Sequence, residues 1–300
     1  LSTAIREHWF WQDEAMTESM SVHSIWKYPV KSMVGGTVDQ AQISLLGIAG
    51  DRHWAVRSLE IGGIRGAKKL GGLMGFAAEF VDAMRVRIIL PDGSEVHSDD
   101  ADVDARISAA LGHDVTLVSL PADGNIDHFR RGPSTGADPM TELRDVFGRE
   151  PDEPLPDFSA FPPEVVEFES PPGTHYDCWP LMVMTTSALR ALGTALPGSN
   201  VDVRRFRPSL VIDTDRAGEE GHPEFSWTGR TATIGEDGAR IEFLKPCPRC
   251  VMTTREVFGG IPADRAVLRH IVRDLDQNLG VYARVINPGT VRAGDALRFD

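Results

Sequence analysis

Apolar and polar residues alternate over short stretches along most of this chain, a period of two that predicts strands. Residues 24–30 (SIWKYPV) and 53–57 (HWAVR) are rich in β-branched and aromatic side chains and are flanked by turn formers. Residues 85–97 alternate on both sides of Pro91-Asp92-Gly93, which predicts a hairpin. Residues 115–120, 208–213, 281–286 and 295–299 also read as strands, and 230–245 as a second hairpin about Glu236-Asp237-Gly238. A helical period is rarer. Val103, Ile107 and Leu111 share a face between a start at Asp102 or Asp104 and a stop at Gly112. Residues 185–195 open on Thr and Ser, and 263–280 carry Val267, Ile271, Leu275 and Leu279 on one face, with Gly280 as the stop. Many short strands, few helices and no repeat predict a predominantly β, α+β protein, barrel-like rather than doubly wound.

Residues 124–172 break this pattern. They are dense in Pro, Gly, Asp and Glu, with one helical stretch over 140–147, and read as a loop-rich connection that forms a lid or substrate mouth. The expected organisation is an extension over 1–19, a β-rich domain over 20–123, that connection, and a β-barrel domain over 173–300. Residues 1–19 lack the apolar core and cleavage site of a targeting segment.

Composition narrows the function. No apolar run of about 18 residues exists to span a bilayer. A formal net charge of -13 argues against a nucleic-acid binder, although a local basic pocket remains compatible with it. Three cysteines are too few for a disulfide framework, which points to a reducing compartment, the cytoplasm.

Two of those thiols lie in Lys245-Pro246-Cys247-Pro248-Arg249-Cys250. As half of a zinc site the motif lacks its second pair, and nothing in the spacing of His53, His175 or Cys178 supplies it. A dithiol redox motif belongs at a helix start, whereas Val251-Met252-Thr253-Thr254 prefer strand. A soft-metal thiolate site fits the neighbouring Lys245 and Arg249, which favour ionised sulfur. Burial as a pair of small apolar residues is the ordinary fate of free cysteines.

Basic residues recur in the turns: Lys31-Ser32, Arg52, Arg65, Lys68-Lys69 in the glycine-rich 62–75 stretch, and Arg204, Arg205 and Arg207 ahead of a strand. Strand alternation would put Arg205 and Arg207 on one face. Arginine forks suit phosphate, but singly each of these is an ordinary surface charge. The glycine spacing matches neither a P-loop nor a dinucleotide fingerprint.

Taken together and in order, YPVKS, GDRHW, FRPSLVID, CPRCVMTT and NPGTVRAGD resemble the MOSC family from about Ser21 onward. Within it they resemble the amidoxime-reducing components of mitochondria and their bacterial relatives. The resemblance implies a MOSC-type β-barrel preceded by a β-rich domain, and a molybdenum–molybdopterin cofactor with Cys250 as metal ligand. It implies cofactor contacts at Lys31, Ser32, Arg52, Cys178, Arg207, Ser209, Pro248, Arg249 and Tyr282, and an orienting role for Asp177. Ser209 and Pro248 stand where the human member carries asparagine and serine, so Pro248 contacts through its backbone. Cys178-Trp179 replaces the family's Thr-Ser pair, and Trp179 supplies no hydroxyl there. The implied activity is reduction of N-oxygenated small molecules. The chain shows no iron–sulfur or flavin fingerprint, so a separate ferredoxin, flavin or haem reductase would supply the electrons. Sulfur transfer through a Cys250 persulfide and a non-enzymatic cofactor-binding module are the competing readings; Cys247 reads as packing or tuning.

Overall fold

A computed structural model describes residues 20–133, 138–159, 161–236 and 238–300. The expected extension over 1–19 and the hairpin-tip Asp237 lie outside the described residues. The fold is α+β and predominantly β. Its largest sheet runs Leu297–Phe299, Thr231–Ile234, Arg240–Pro248, Asn278–Asn287, Leu181–Thr185, Leu210–Asp213, Ser21–Lys27, Gly36–Val38. Every pairing is antiparallel except Leu181–Thr185 with Leu210–Asp213, which the Thr186–Ala195 helix connects. The sheet curls on itself. Val22 N donates to Asp295 O, Gly294 N to Val22 O and Leu297 N to Met20 O, each at 2.8 Å, so the first strand meets the approach to the last.

The inside of the curl is filled by Ile25, Leu210, Trp227, Ile241, Phe243 and Val281, among others. Leu181–Thr185 is buried residue after residue because both its faces are covered. Leu181 and Val183 enter that core, while Met182 and Met184 meet a second cluster beneath the Thr186–Ala195 and Arg265–Asp274 helices. The N-terminal half forms smaller sheets, including the Ala77–Phe80, Val86–Ile89, Glu95–His97 meander. Its core of Val56, Phe76, Ile88 and Ile107 also takes Met252, Val257 and Ile261 from the segment after the cysteine pair. That segment plugs the neighbouring half, which fixes Cys250 at the junction.

Four local expectations need correction. The long helix stops at Asp274 rather than Gly280. Asp276 and Gln277 turn the chain at φ 46° and 70°, and Leu279 is buried from a strand. Gly280 serves a close approach, since a Cβ there would lie 2.8 Å from Met182 Sδ and 2.9 Å from Val183 O. Val251–Thr254 is a 3-10 turn, not a strand. The Thr253 and Thr254 hydroxyls donate to Cys250 O at 3.1 Å and Val251 O at 2.8 Å, local bonds that override β propensity. Val203–Arg205 is likewise a 3-10 turn, so alternation does not apply to Arg205 and Arg207. The first strand ends at Lys27 rather than residue 30, ahead of Pro29, which has no N–H to give a ladder. Among the described residues no helix is long and apolar enough to cross a membrane.

Candidate functional site

A cavity of about 750 Å³ opens where the two halves meet, roofed by side chains from residues 131–169. Lys31, Ser32 and Arg52 line it from the N-terminal half; Asp177, Cys178, Arg207 and Ser209 face them. Pro248, Arg249, Cys250 and Tyr282 complete the wall, so every residue that the resemblance singled out borders one space. Among the described residues, eight Lys and Arg side chains border it against three carboxylates, in a chain of net charge -13.

The two central guanidinium groups are held by aromatic rings. Arg52 sits 4.7 Å from the Tyr28 centroid and 4.9 Å from that of Tyr176, ion-paired with buried Asp51. Arg207 lies 4.1 Å from the Tyr28 centroid. The Tyr28 hydroxyl donates to Pro208 O at 3.1 Å, which fixes the ring. Arg207 donates from Nη1 to Met33 O, whereas its buried Nη2 has no hydrogen-bond partner among the described residues. Burial, then repulsion from Arg52, pulls Arg207 down to about 10. Ser32, Arg52 and Arg207 all have left-handed backbones, at φ 69°, 50° and 58°. Non-glycine residues held this way cost on the order of 1 kcal/mol or more each, and they cluster where function demands it.

Lys31 is spoken for inside the protein: its ammonium reaches His175 O at 2.8 Å, Asp177 Oδ1 at 2.6 Å and Ser170 Oγ at 3.3 Å. Lys68 takes the other Asp177 oxygen at 2.9 Å. Burial alone would raise the Asp177 carboxyl, but the two ammonium groups hold it well below the usual carboxylate range. Its side chain is still 38 % accessible, so an ionised carboxylate faces the cavity. Ser32 Oγ accepts from Ala67 N at 2.9 Å and pins the glycine-rich loop that presents Lys68.

A histidine pair braces the Asp177 turn. His175 Nδ1 lies 3.0 Å from Arg52 O and must donate to it, because a carbonyl only accepts. His175 Nε2 is then the acceptor for His128 Nε2 at 2.9 Å, and His128 Nδ1 is left to accept from Arg57 Nη2 at 3.4 Å. Burial, then Lys31, pushes His175 down to about 3, so both rings stay neutral in this arrangement.

The Arg240–Pro248 strand delivers Cys247 into the core and Pro248 to the cavity rim. Arg249 turns back, donating from Nη1 to Cys247 Sγ at 3.2 Å and from Nη2 to Phe206 O at 2.6 Å. Cys250 is half-buried beside the N-terminal core and borders the cavity. Burial pushes the Cys178 thiol up to about 12, so it stays protonated. Arg205 also touches the cavity, but it is fully buried and its guanidinium ties down Asn200, Thr253, Arg255 and Pro262 carbonyls; it is a brace.

Sequence reasoning undervalued two groups. Lys68 was one charge in a glycine-rich stretch, and only its pairing with Asp177 distinguishes it. Phe158, Phe161 and Trp179 line the cavity, yet the first two lie in a segment with no period to mark them. Chemically, a cysteine sulfur that could bind a soft metal and the guanidinium groups of Arg52 and Arg207 border one cationic space. That donor set fits a phosphorylated, metal-bearing ligand.

Residues 19–129 match the family described as the MOSC N-terminal beta barrel domain, and residues 172–298 match the MOSC domain. Mitochondrial amidoxime-reducing component 1 of Homo sapiens is 21% identical over 305 residues, covering 92% of this chain and 81% of that protein. Component 2 of Bos taurus is 22% identical over 309 residues, with 92% and 82% covered. Component 2 of Macaca fascicularis is 27% identical over 131 residues, and there the match spans 40% of this chain and only 36% of the relative. Among solved structures, the YuaD protein of Bacillus subtilis covers 94% of this chain and 95% of its own at 11% identity and a TM-score of 0.41. Residues 130–171, most of the cavity roof, fall between the two matched regions. Matched by both domains in succession, the chain belongs to the MOSC family.

Proposed function

We propose that this protein is a molybdenum-cofactor-dependent reductase of N-oxygenated small molecules, working with a separate electron-donor protein. The observation that carries this reading is that Cys250 borders the same cationic cavity as the guanidinium-bearing Arg52 and Arg207. The named activity of the relatives, amidoxime reduction, supports the substrate class.

When bound, a molybdenum–molybdopterin group would supply two-electron, oxygen-atom chemistry. The residues of the chain bind and orient. Cys250 would be the metal ligand, and Arg52 and Arg207, fixed against Tyr28, would hold the phosphate through forked donors. Lys31 and Ser32 frame that pocket from its rim, their own polar groups engaged by Asp177 and Ala67. Cys178, Ser209, Pro248, Arg249 and Tyr282 line the same cavity and would contact the rest of the group. Asp177, kept ionised by Lys31 and Lys68, accepts a hydrogen bond from the N–OH or N–H of a substrate and aligns it. The roof excludes bulk water and shapes the mouth. We assign the enzyme to the cytoplasm, where Cys178, Cys247 and Cys250 stay reduced.

The test compares wild type with Cys250→Ser after expression with ample cofactor. Near-stoichiometric molybdenum in wild type, its loss in the variant, and turnover of an N-hydroxylated compound with a reduced donor are expected. Protein without molybdenum, or Cys250 carrying an extra sulfur by mass and acting without metal, would overturn the reading in favour of sulfur transfer. Bound cofactor without turnover would leave a carrier module.

A further inference from the structure

Five aromatic rings form one connected wall of the cavity. Phe147 and Phe158 are 5.4 Å apart between centroids, Phe158 and Phe161 5.8 Å, Phe161 and Trp179 5.1 Å, and Trp179 and Tyr282 4.9 Å. All five line the cavity, and the wall runs from the half-open Phe158, 37 % exposed, to Tyr282 beside the cysteine strand. Phe147, Phe158 and Phe161 come from the roof that neither family domain covers. Trp179 and Tyr282 come from within the MOSC match, so the wall joins the roof to the cysteine side of the cavity.

From this geometry we infer that Phe161 and Trp179 select substrates by a flat aromatic group, which lies against the wall while the N-oxygenated end points toward Cys250. The second half of that statement rests on the reductase reading; the first does not. A ring inserted between two others would need about 7 Å, two van der Waals contacts of about 3.5 Å each. The observed spacings are shorter, so the substrate lies along the wall and not within it. Lys245 sits 4.3 Å from the Phe161 centroid and engages one side of that ring, while Trp179, between Phe161 and Tyr282, links the roof to the inner end of the wall. Quadrupolar contacts reward planar aromatic partners over saturated ones of equal size, which separates this selection from simple apolar burial.

The experiment uses benzamidoxime and cyclohexanecarboxamidoxime, which have the same heavy-atom count and differ in ring planarity. Binding to the metal-loaded protein is measured by calorimetry without an electron donor, so turnover is not the readout. Wild type is expected to prefer the aryl compound by about tenfold, in the range aromatic pairs provide. Trp179→Leu and Phe161→Leu should each shrink that preference severalfold while molybdenum content holds. Equal binding of the two compounds, no binding of either, or a preference intact in both variants would sink the inference. So would loss of molybdenum from the leucine variants, since the wall would then serve the cofactor. Aryl-selective binding without subsequent turnover would leave the inference standing and overturn the reductase reading alone.

Discussion

Arg249 donates a hydrogen bond to the Cys247 sulfur at 3.2 Å, and both residues are buried at the cavity edge. The relationship divides the labour of the two thiols. Burial disfavours the Arg249 charge, yet Cys247, Tyr282 and Cys250 together raise its pKa, so the cation is secure. Cys247 thus holds the arginine in place, and on the proposed reading Cys250 is the metal ligand. Cys247→Ala should lower stability by about 1–2 kcal/mol, read from denaturant midpoints, while molybdenum content stays within twofold of wild type. Metal loss equal to that of Cys250→Ser would show that both sulfurs are ligands.

Arg207 should trade stability for binding. Its Nη2 is buried with no partner among the described residues, a desolvated donor costing roughly 1–3 kcal/mol. In cofactor-free protein, Arg207→Met should therefore change stability by less than about 1 kcal/mol, because relief of that cost offsets the lost bond to Met33 O. Cofactor retention through gel filtration should fall at least tenfold. A severe loss of cofactor-free stability would mean that the residue is structural.

The neutral His175 gives a pH signature. Its folded value, about 3, lies below the ordinary 6.5, so the unfolded chain binds more protons in between. This contribution to stability is complete above pH 6.5 and is lost as pH falls toward 3, at up to about 1.4 kcal/mol per pH unit. His175→Asn, which keeps a side-chain donor for Arg52 O, should flatten the stability–pH curve across that window. An unchanged slope would place the acid sensitivity elsewhere.

Arg149 fastens the roof. It donates to Arg249 O at 3.1 Å, Pro154 O at 3.1 Å and Gln277 Oε1 at 3.2 Å, bridging the roof to the cysteine loop. Arg149→Ala should speed limited proteolysis within residues 150–165 by about tenfold or more, with the core melting transition displaced by only a few degrees. Cleavage at the wild-type rate would show that the wall is anchored by its aromatic contacts alone.

What the sequence disclosed depended on whether the signal was local. The 85–97 hairpin and the helix before Gly112 follow from alternation, Gly and Pro, and the structure has them as Val86–Ile89 with Glu95–His97 and as Val103–Leu111. The Val251–Thr254 turn was missed because threonine hydroxyls satisfied backbone carbonyls that β propensity alone would have sent to a ladder. Leu279 kept the helical period past the true end of the helix because the strand that follows also buries it. At the site, ordered motifs gathered Lys31, Arg52, Arg207 and Cys250, whereas Lys68 and the roof aromatics have meaning only through partners distant in sequence.

The pairing of Ser21–Lys27 with Leu210–Asp213 carries a cost in time during synthesis. At typical translation speeds of about 5–20 residues per second, the first strand leaves the ribosome on the order of ten to forty seconds before its partner exists. For that interval an apolar segment holding Val22 and Ile25 has only the short Gly36–Val38 strand beside it. The nascent chain must therefore be shielded, or be slow to form other pairings, until Leu210–Asp213 has been made, and truncated transcripts ending before residue 210 should yield insoluble product.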